Sequence, residues 1–364
     1  ASLKVLKGER RTNLKEGFWT YLLSGTISAR TRLKQENTRT ENWLVMQAEP
    51  ASSIAWILGH AWPLPYLNLA WKHLLTTHTH DANAGCAPDD ITEDVWYHLR
   101  QSRQISEGLV QESLKALCRD VDTSHSTRKD ILLMLLNTLS FSRDEVVEAI
   151  VDVPEEYGTQ SLAVVTPSGA RARVQVIEEM PSGLFVDNPW NVPQAFVSKR
   201  FRILFLTRAL PSLGYMACRL ELSSKPDRHT ASLFLSPESM ENEFLKCIIQ
   251  PDGAVELTDK KSGAVFRDLL LMEDAGEVGN AWRRQAPRND RILYSCGCRA
   301  QIQRIMDGPL AAAVRIDVEM NIPTECPTDD SRSESLVTLR IAHILTLKQG
   351  ARHLDIRTRF DNRS

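Results

Sequence analysis

The sequence predicts an α+β multidomain chain: an N-terminal antiparallel helical bundle followed by antiparallel β-sandwich domains, the last of them incomplete. Three observations predict it. Residues 28–47 carry strong helix formers with neither glycine nor proline. After Asp122 the texture changes to alternating apolar residues punctuated by Pro and Gly turn clusters, the spacing of an all-β module. The chain then stops at LDIRTRFDNRS, directly behind an apparent strand, and it starts on the equally bare SLKVLKGE, so an internal piece of something longer is expected.

The elements follow in order. Pro50 is expected to punctuate the first helix, and residues 51–58 to continue as a short apolar one, before Gly59, Pro63 and Pro65 force a turn. A second helix over 66–77 places Leu67, Ala70, Trp71, Leu74 and Leu75 at three- and four-residue steps, which gives one apolar face. The loop HTHDANAGCAP closes it. Pro88 then suits a first helical position, and Asp89, Asp90 and Glu93 put negative charge where the helix dipole favours it. The third helix has the stripe Ile91, Val95, Leu99, Ser102, Ile105, Leu109 and Leu117, near-heptad spacing suited to an antiparallel bundle. Strands are expected at 146–153, 162–165, 174–177, 201–206 and 215–222, separated by turns such as TPSG and PSLG. FLKCIIQPDGAVELTDKKSGAVF reads as three strands joined by Asp-Gly and Ser-Gly turns, and further strands are expected at 314–320 and 336–347. The expected domains are a bundle over 1–127, a small β-sandwich-like domain over 128–224 and the opening part of a larger sandwich over 238–364.

Composition bounds the function. With 44 Lys and Arg against 46 Asp and Glu, the net charge of −2 creates no global field to recruit nucleic acid or an anionic membrane. No apolar run approaches the roughly 18–20 residues of a membrane helix, and the charged first residues do not make a signal peptide. Seven cysteines, an odd and scattered set, point to a reducing compartment, the cytoplasm.

The densest polar constellation is HTHDANAGC, with His78, His80, Asp81 and Cys86. Imidazole and carboxylate suit zinc, but a closed site needs four donors, and His78 and His80 cannot face one way inside a continuous helix. If His80 alone ligates, the other donors come from elsewhere. The alternative reading makes His78 an edge residue of the Trp71, Leu74, Leu75 face and Asp81 a cap of the next turn. Cys296 and Cys298 resemble half a metal site, but they fall in an expected strand without a second Cys or His pair. Arg283, Arg284 and Arg288 beside Trp282 could bind an anion, yet read more simply as a solvated face. Glu178 and Glu179 read as surface strand residues. No G-x-G-x-x-G, Walker loop, G-x-S-x-G or H-E-x-x-H is present.

At the histidine loop the sequence resembles the α-mannosidases of glycoside hydrolase family 38, particularly the bacterial cytoplasmic branch that includes mannosylglycerate hydrolases. WKHLLTTHTHDANAGCAPDDITEDV looks like that branch's W-K-x-L-L-x-x-H-x-H-D-S-I-x-G-C-x-x-D-x-V-x-x-E. LSGTISARTRLKQENTRTEN, LLNTLSFSRDEVVE, the ALPSLGY turn, ENEFLKCIIQPDGAVELTDKKSGAVFRDLLLMEDAG and LDIRTRFDN resemble further landmarks in the same order, so the likeness covers essentially the whole chain.

The resemblance implies a retaining exo-α-mannosidase with one zinc ion held by two aspartates and two histidines, one aspartate also being the nucleophile. His80 matches the fourth ligand. Asp81 matches the aspartate that hydrogen-bonds the mannose hydroxyls, and His78 matches a bacterial-branch histidine of unassigned role, taken here as substrate-binding. The other ligands, the nucleophile and the acid/base belong to an N-terminal α/β domain, so no catalytic residue is expected in this chain and the isolated piece is expected to be inactive. Leu23 stands where eukaryotic members place a substrate-stacking tryptophan, which suits small mannosides better than N-glycans. GNAWRRQAP departs from G-D-x-Y-x-Y-S, and Trp282 takes the place of a pocket tyrosine. Ala82 and Asn83 replace the usual Ser and Ile. The implied partners are an α-mannoside and, by analogy, a second copy in a homo-oligomer. A non-catalytic carbohydrate-binding or assembly module that keeps the mannosidase scaffold is the competing reading.

Overall fold

The computed structural model describes residues 23–127, 129–186, 192, 194–227 and 231–362. The chain forms two compact units. One comprises residues 1–115 with 275–292 and 323–335; the other comprises 116–274, 293–322 and 336–364.

In the first unit a 3-10 turn, Ser24–Ile27, leads into α1 (Thr31–Glu41), a π-helical stretch (Asn42–Ala48) and α2 (Glu49–Ile57) without a break. Pro50 therefore does not end the helix. A proline removes one N–H and crowds the preceding turn, and the wider i→i+5 winding upstream, with the Glu49 amide donating to Leu44, gives that turn room. The Trp71 indole donates to Glu49 Oε1 at 2.7 Å and ties the next helix to this junction. α3 (Leu64–Thr76), α4 (His80–Ala84) and α5 (Asp89–Asp120) complete the helices. Leu33, Leu44, Leu67, Leu74, Val95 and Leu99 make the centre of their core. The expected stripes hold there, but Leu75 and Ile91 are exposed, each on the outer margin of its helical face.

The second unit is antiparallel β. β1 (Leu132–Asn137), β2 (Arg143–Pro154), β3 (Ser161–Val165), β4 (Arg171–Val186), β5 (Gln194–Leu210) and β6 (Gly214–Ser223) hydrogen-bond in the order β1-β6-β3-β4-β5-β2. β4 pairs with β3 through residues 171–173 and with β5 from Val174 onward, so it links two faces that close over Val153, Val164, Val174, Phe201, Phe205 and Leu220. β7 (Phe234–Ser236), β8 (Ser239–Glu241), β9 (Leu245–Ile249), β10 (Val255–Asp259) and β11 (Val265–Leu269) form a meander. β12 (Glu273–Asp274) pairs with β13 (Leu293–Tyr294). β14 (Ala300–Met306), β15 (Ala311–Pro323), β16 (Leu336–Lys348) and β17 (Asp355–Phe360) form a four-stranded sheet in chain order. Met240, Cys247 and Val255 from the meander pack with Val314, Ile316, Ile341 and Leu345 from that sheet, a sandwich core.

Gln175 joins the two sandwiches: its amide donates to the Ala311 carbonyl at 3.0 Å, and its oxygen accepts from the Leu310 and Ala311 amides at 2.9 and 3.0 Å. Glu179 pairs with Lys199 at 2.6 Å on a strand surface. Cys296 and Cys298 lie outside any strand. They flank Gly297 in a turn where φ is +80°, a conformation that needs glycine.

Candidate functional site

The HTHDANAGC segment breaks from α3 at Thr79, whose extended backbone (φ −59°, ψ 137°) restarts the chain as the five-residue α4. The break separates the two histidines, as their spacing requires. His78 turns toward α1, where its Nε2 lies 3.1 Å from Asn37 Oδ1 and 3.2 Å from Glu41 Oε1. Its ring fastens the end of α3 to α1, with 29% of its side chain left exposed. His80 points the other way: its side chain is 91% exposed, with Nε2 3.4 Å from Asp81 Oδ1.

Two cations hold this segment by its carbonyls. Arg30 Nε donates to the Gly85 carbonyl at 3.0 Å, and its Nη2 donates to the Ala87 carbonyl at 3.2 Å and to Asp89 at 2.7 Å. Lys34 Nζ donates to the Ala29 and Ala84 carbonyls at 2.6 and 3.0 Å, and burial pulls its ammonium below the ordinary lysine range. Gly85 ends α4 in the left-handed region (φ +74°, ψ 20°), its amide reaching back to Asp81 and Ala82.

Cys86 follows at once and gathers the remaining groups. Its thiol donates to Asp81 Oδ1 at 3.5 Å and also takes a hydrogen bond from the Trp282 side chain. Burial first, and the Asp81 carboxylate second, push the thiol up, while the Trp282 contact pulls it down. Trp282 comes from a tight loop: Asn280 Oδ1 accepts from the Trp282 and Arg283 amides at 3.0 and 3.1 Å, and Glu277 Oε1 accepts from the Gly279 and Gln285 amides at 2.7 and 2.9 Å. The Gly25 amide donates to the Trp282 carbonyl at 3.0 Å, so the SGTIS turn after Leu23 anchors the same loop. A Cβ on Gly25 would meet the Trp282, Arg283 and Asn280 backbones at 3.0–3.1 Å, which is why this position is bare. Arg284 leans on Glu277 at 3.6 Å, in keeping with a loop that uses its charges on itself.

The structure thus links His80 to Asp81, Asp81 to Cys86 and Cys86 to Trp282, while His78 is held by α1. Their types suit one metal donor, one carboxylate acceptor for hydroxyls and one half-exposed indole that a sugar ring could stack on. Among the described residues no group of three or more His, Cys, Asp and Glu side chains stands close enough to hold a metal ion. The donor chemistry of His80 fits zinc as a single ligand, and a closed shell needs partners from outside this cluster. Sequence reasoning missed Arg30, Lys34 and Gly25. Only the S-G pair ahead of a helix signals the last of these, and nothing local tells that two cations grip carbonyls some fifty residues away.

Residues 21–117 match the family model described as the alpha mannosidase middle domain. Over 99% of its length the chain is 24% identical to the "Putative mannosylglycerate hydrolase" of Halalkalibacterium halodurans, covering 44% of that protein. The crystal structure of an alpha-mannosidase from Enterococcus faecalis superposes with a TM-score of 0.84 at 23% identity, covering 93% of this chain and 42% of that one. A second structure from Enterococcus faecalis, of a protein in glycosyl hydrolase family 38, gives 0.83 at 24% identity, covering 93% and 44%. The family 38 resemblance seen in the sequence therefore stands, and the chain spans less than half the length of the relatives it matches.

Proposed function

We propose that this chain is the middle and C-terminal part of a zinc-dependent retaining exo-α-mannosidase of the cytoplasm, acting on small terminal α-mannosides of the mannosylglycerate type. His80 is one metal ligand, Asp81 binds mannose hydroxyls, and Trp282 forms a wall of the sugar pocket. The observation that carries the reading is the exposed imidazole of His80 with its Nε2 beside Asp81, and the Trp282 loop joined to Asp81 through Cys86 and anchored by Gly25. When bound, zinc would hold sugar hydroxyls and act as a Lewis acid while the ring flattens. Within this chain Arg30 and Lys34 fix the loop so that His80 keeps one direction, and Asp81 orients a hydroxyl as an acceptor. Retaining hydrolysis needs two carboxyl groups about 5–5.5 Å apart. The cluster here has Asp81 alone, so the reading assigns the nucleophile and the acid/base to the remainder of a longer protein.

The test compares zinc content and hydrolysis of a chromogenic α-mannoside for that longer protein and its His80→Ala variant. The variant is expected to lose both metal and turnover while keeping its circular dichroism spectrum. Full zinc occupancy and undiminished turnover in His80→Ala would overturn the assignment, and a folded parent with neither metal nor activity would leave a carbohydrate-binding module in its place.

A further inference from the structure

α3 and α5 present a second imidazole arrangement that the function above does not use. His73 lies beside the buried Leu74 on α3, and His98 beside the buried Leu99 on α5. Both rings sit half-buried at the rim of the helical core, with their Nδ1 atoms 2.8 Å apart and ring centroids 5.1 Å apart at 40°. One Nδ1–H donates to the other Nδ1, so two ring nitrogens from separate helices converge on a gap that holds a single proton.

We propose that His73 and His98 form a two-imidazole site for a divalent late-transition-metal ion, which takes the place of that shared proton and bridges α3 to α5, the donor ring shifting its proton through solvent from Nδ1 to Nε2 so that both Nδ1 lone pairs face the metal. The spacing sets the preference. With metal–nitrogen bonds of about 2.0–2.1 Å, a 2.8 Å bite subtends roughly 85–90°, a cis angle of square-planar or octahedral coordination, whereas a tetrahedral angle needs nitrogens about 3.3 Å apart. Ni²⁺ and Cu²⁺ therefore fit the pair as it stands, and Zn²⁺ requires the rings to open by about half an ångström. Tyr97 meets both rings edge-on, His73 at 80° and His98 at 70°, and so limits their rotation. Burial, then His98 and then Lys72, holds His73 below the ordinary histidine range, which keeps a lone pair available at neutral pH. Lys72 opposes a cation, but it is exposed and can swing into solvent. Water completes the coordination shell on the open side.

The experiment titrates the untagged 364-residue chain with Ni²⁺ and then Zn²⁺ by isothermal calorimetry. One saturable Ni²⁺ equivalent is expected, tighter than Zn²⁺. Binding should weaken at least about tenfold in His73→Gln and in His98→Gln, since each removes half of the donor set, and should be unchanged in His353→Gln, an exposed histidine of the β unit. In the unmutated chain, paramagnetic Ni²⁺ should broaden the imidazole resonances of His73 and His98 before those of any other histidine, a readout that does not depend on a variant folding. Absence of saturable Ni²⁺ heat, survival of that heat in both glutamine variants, or first broadening at another histidine would each overturn the site.

Discussion

Replacing Gly85 by alanine tests how the histidine loop is held. Gly85 has φ +74°, where an L-residue costs roughly 1–2 kcal/mol. Its new Cβ would lie 3.0 Å from the Ala29 carbonyl oxygen, 3.2 Å from Arg30 Cβ and 3.3 Å from Lys34 Nζ. None of the three can yield freely: the first is backbone, the second is the root of the side chain that binds the Gly85 and Ala87 carbonyls, and Lys34 is tethered to two carbonyls of its own. Overpacking of this kind costs about 1–3 kcal/mol. Loss of the glycine's freedom in the unfolded chain returns about 0.4–1 kcal/mol, so the net destabilisation should be about 2–3 kcal/mol. Every tryptophan among the described residues lies in the helical unit, so indole fluorescence during urea unfolding, read in a Trp190→Phe background, reports on that unit. With a urea slope of about 1–3 kcal/mol per molar, the midpoint should fall by about 1–2 M. Gly59→Ala supplies the control, because Gly59 also has positive φ (+99°) but open space around it. If Gly85→Ala destabilises no more than Gly59→Ala, the close approach of Arg30 and Lys34 to the loop is not what makes glycine necessary.

Two further outcomes are expected in the β unit. Gln175→Ala should destabilise it by about 2–4 kcal/mol, since one Gln side chain at 5% exposure satisfies the Ala311 carbonyl and the Leu310 and Ala311 amides, all of which lose their partner together; a far-ultraviolet denaturation midpoint equal to the unmutated one would refute this. Asp152 accepts two bonds from Arg200, at 2.8 and 2.7 Å, and that guanidinium holds its carboxyl below the usual carboxylate range. A depressed folded-state value means the pair stabilises above the unfolded carboxyl's pKa, near 4, and that this stabilisation is lost as pH falls through the folded value. Asp152→Asn should therefore destabilise the chain at pH 7 and have a smaller effect at acid pH; an equal effect at pH 7 and pH 3 in urea melts would contradict the linkage.

Much of the fold was legible in the residues because its signals are local. Helical spacing is enough to assign Leu67, Ala70 and Leu74 to a core, and the Asp-Gly and Ser-Gly turns mark β9, β10 and β11, because periodicity of 3.6 or 2 and turn chemistry act within a few residues. Pro50 misled because its usual effect presumes an α-helical turn, and the π winding relieves the clash from outside the proline's own neighbourhood. Cys296 and Cys298 misled because an apolar run was read through Gly297, whose left-handed backbone makes a turn.

The site divides along the same line. From its own letters the sequence determined that His78 and His80 face different ways and that Gly85 ends a short helix, since both follow from backbone geometry over a handful of residues. Only the tertiary structure decided which histidine is turned in: Asn37 and Glu41 claim His78 from α1, and Arg30 and Lys34 clamp the loop so that His80 stays out. The same holds for Trp282, which meets Cys86 and Gly25 from almost two hundred residues away or more. A contact of that kind depends on how folded elements pack, and no local periodicity encodes it.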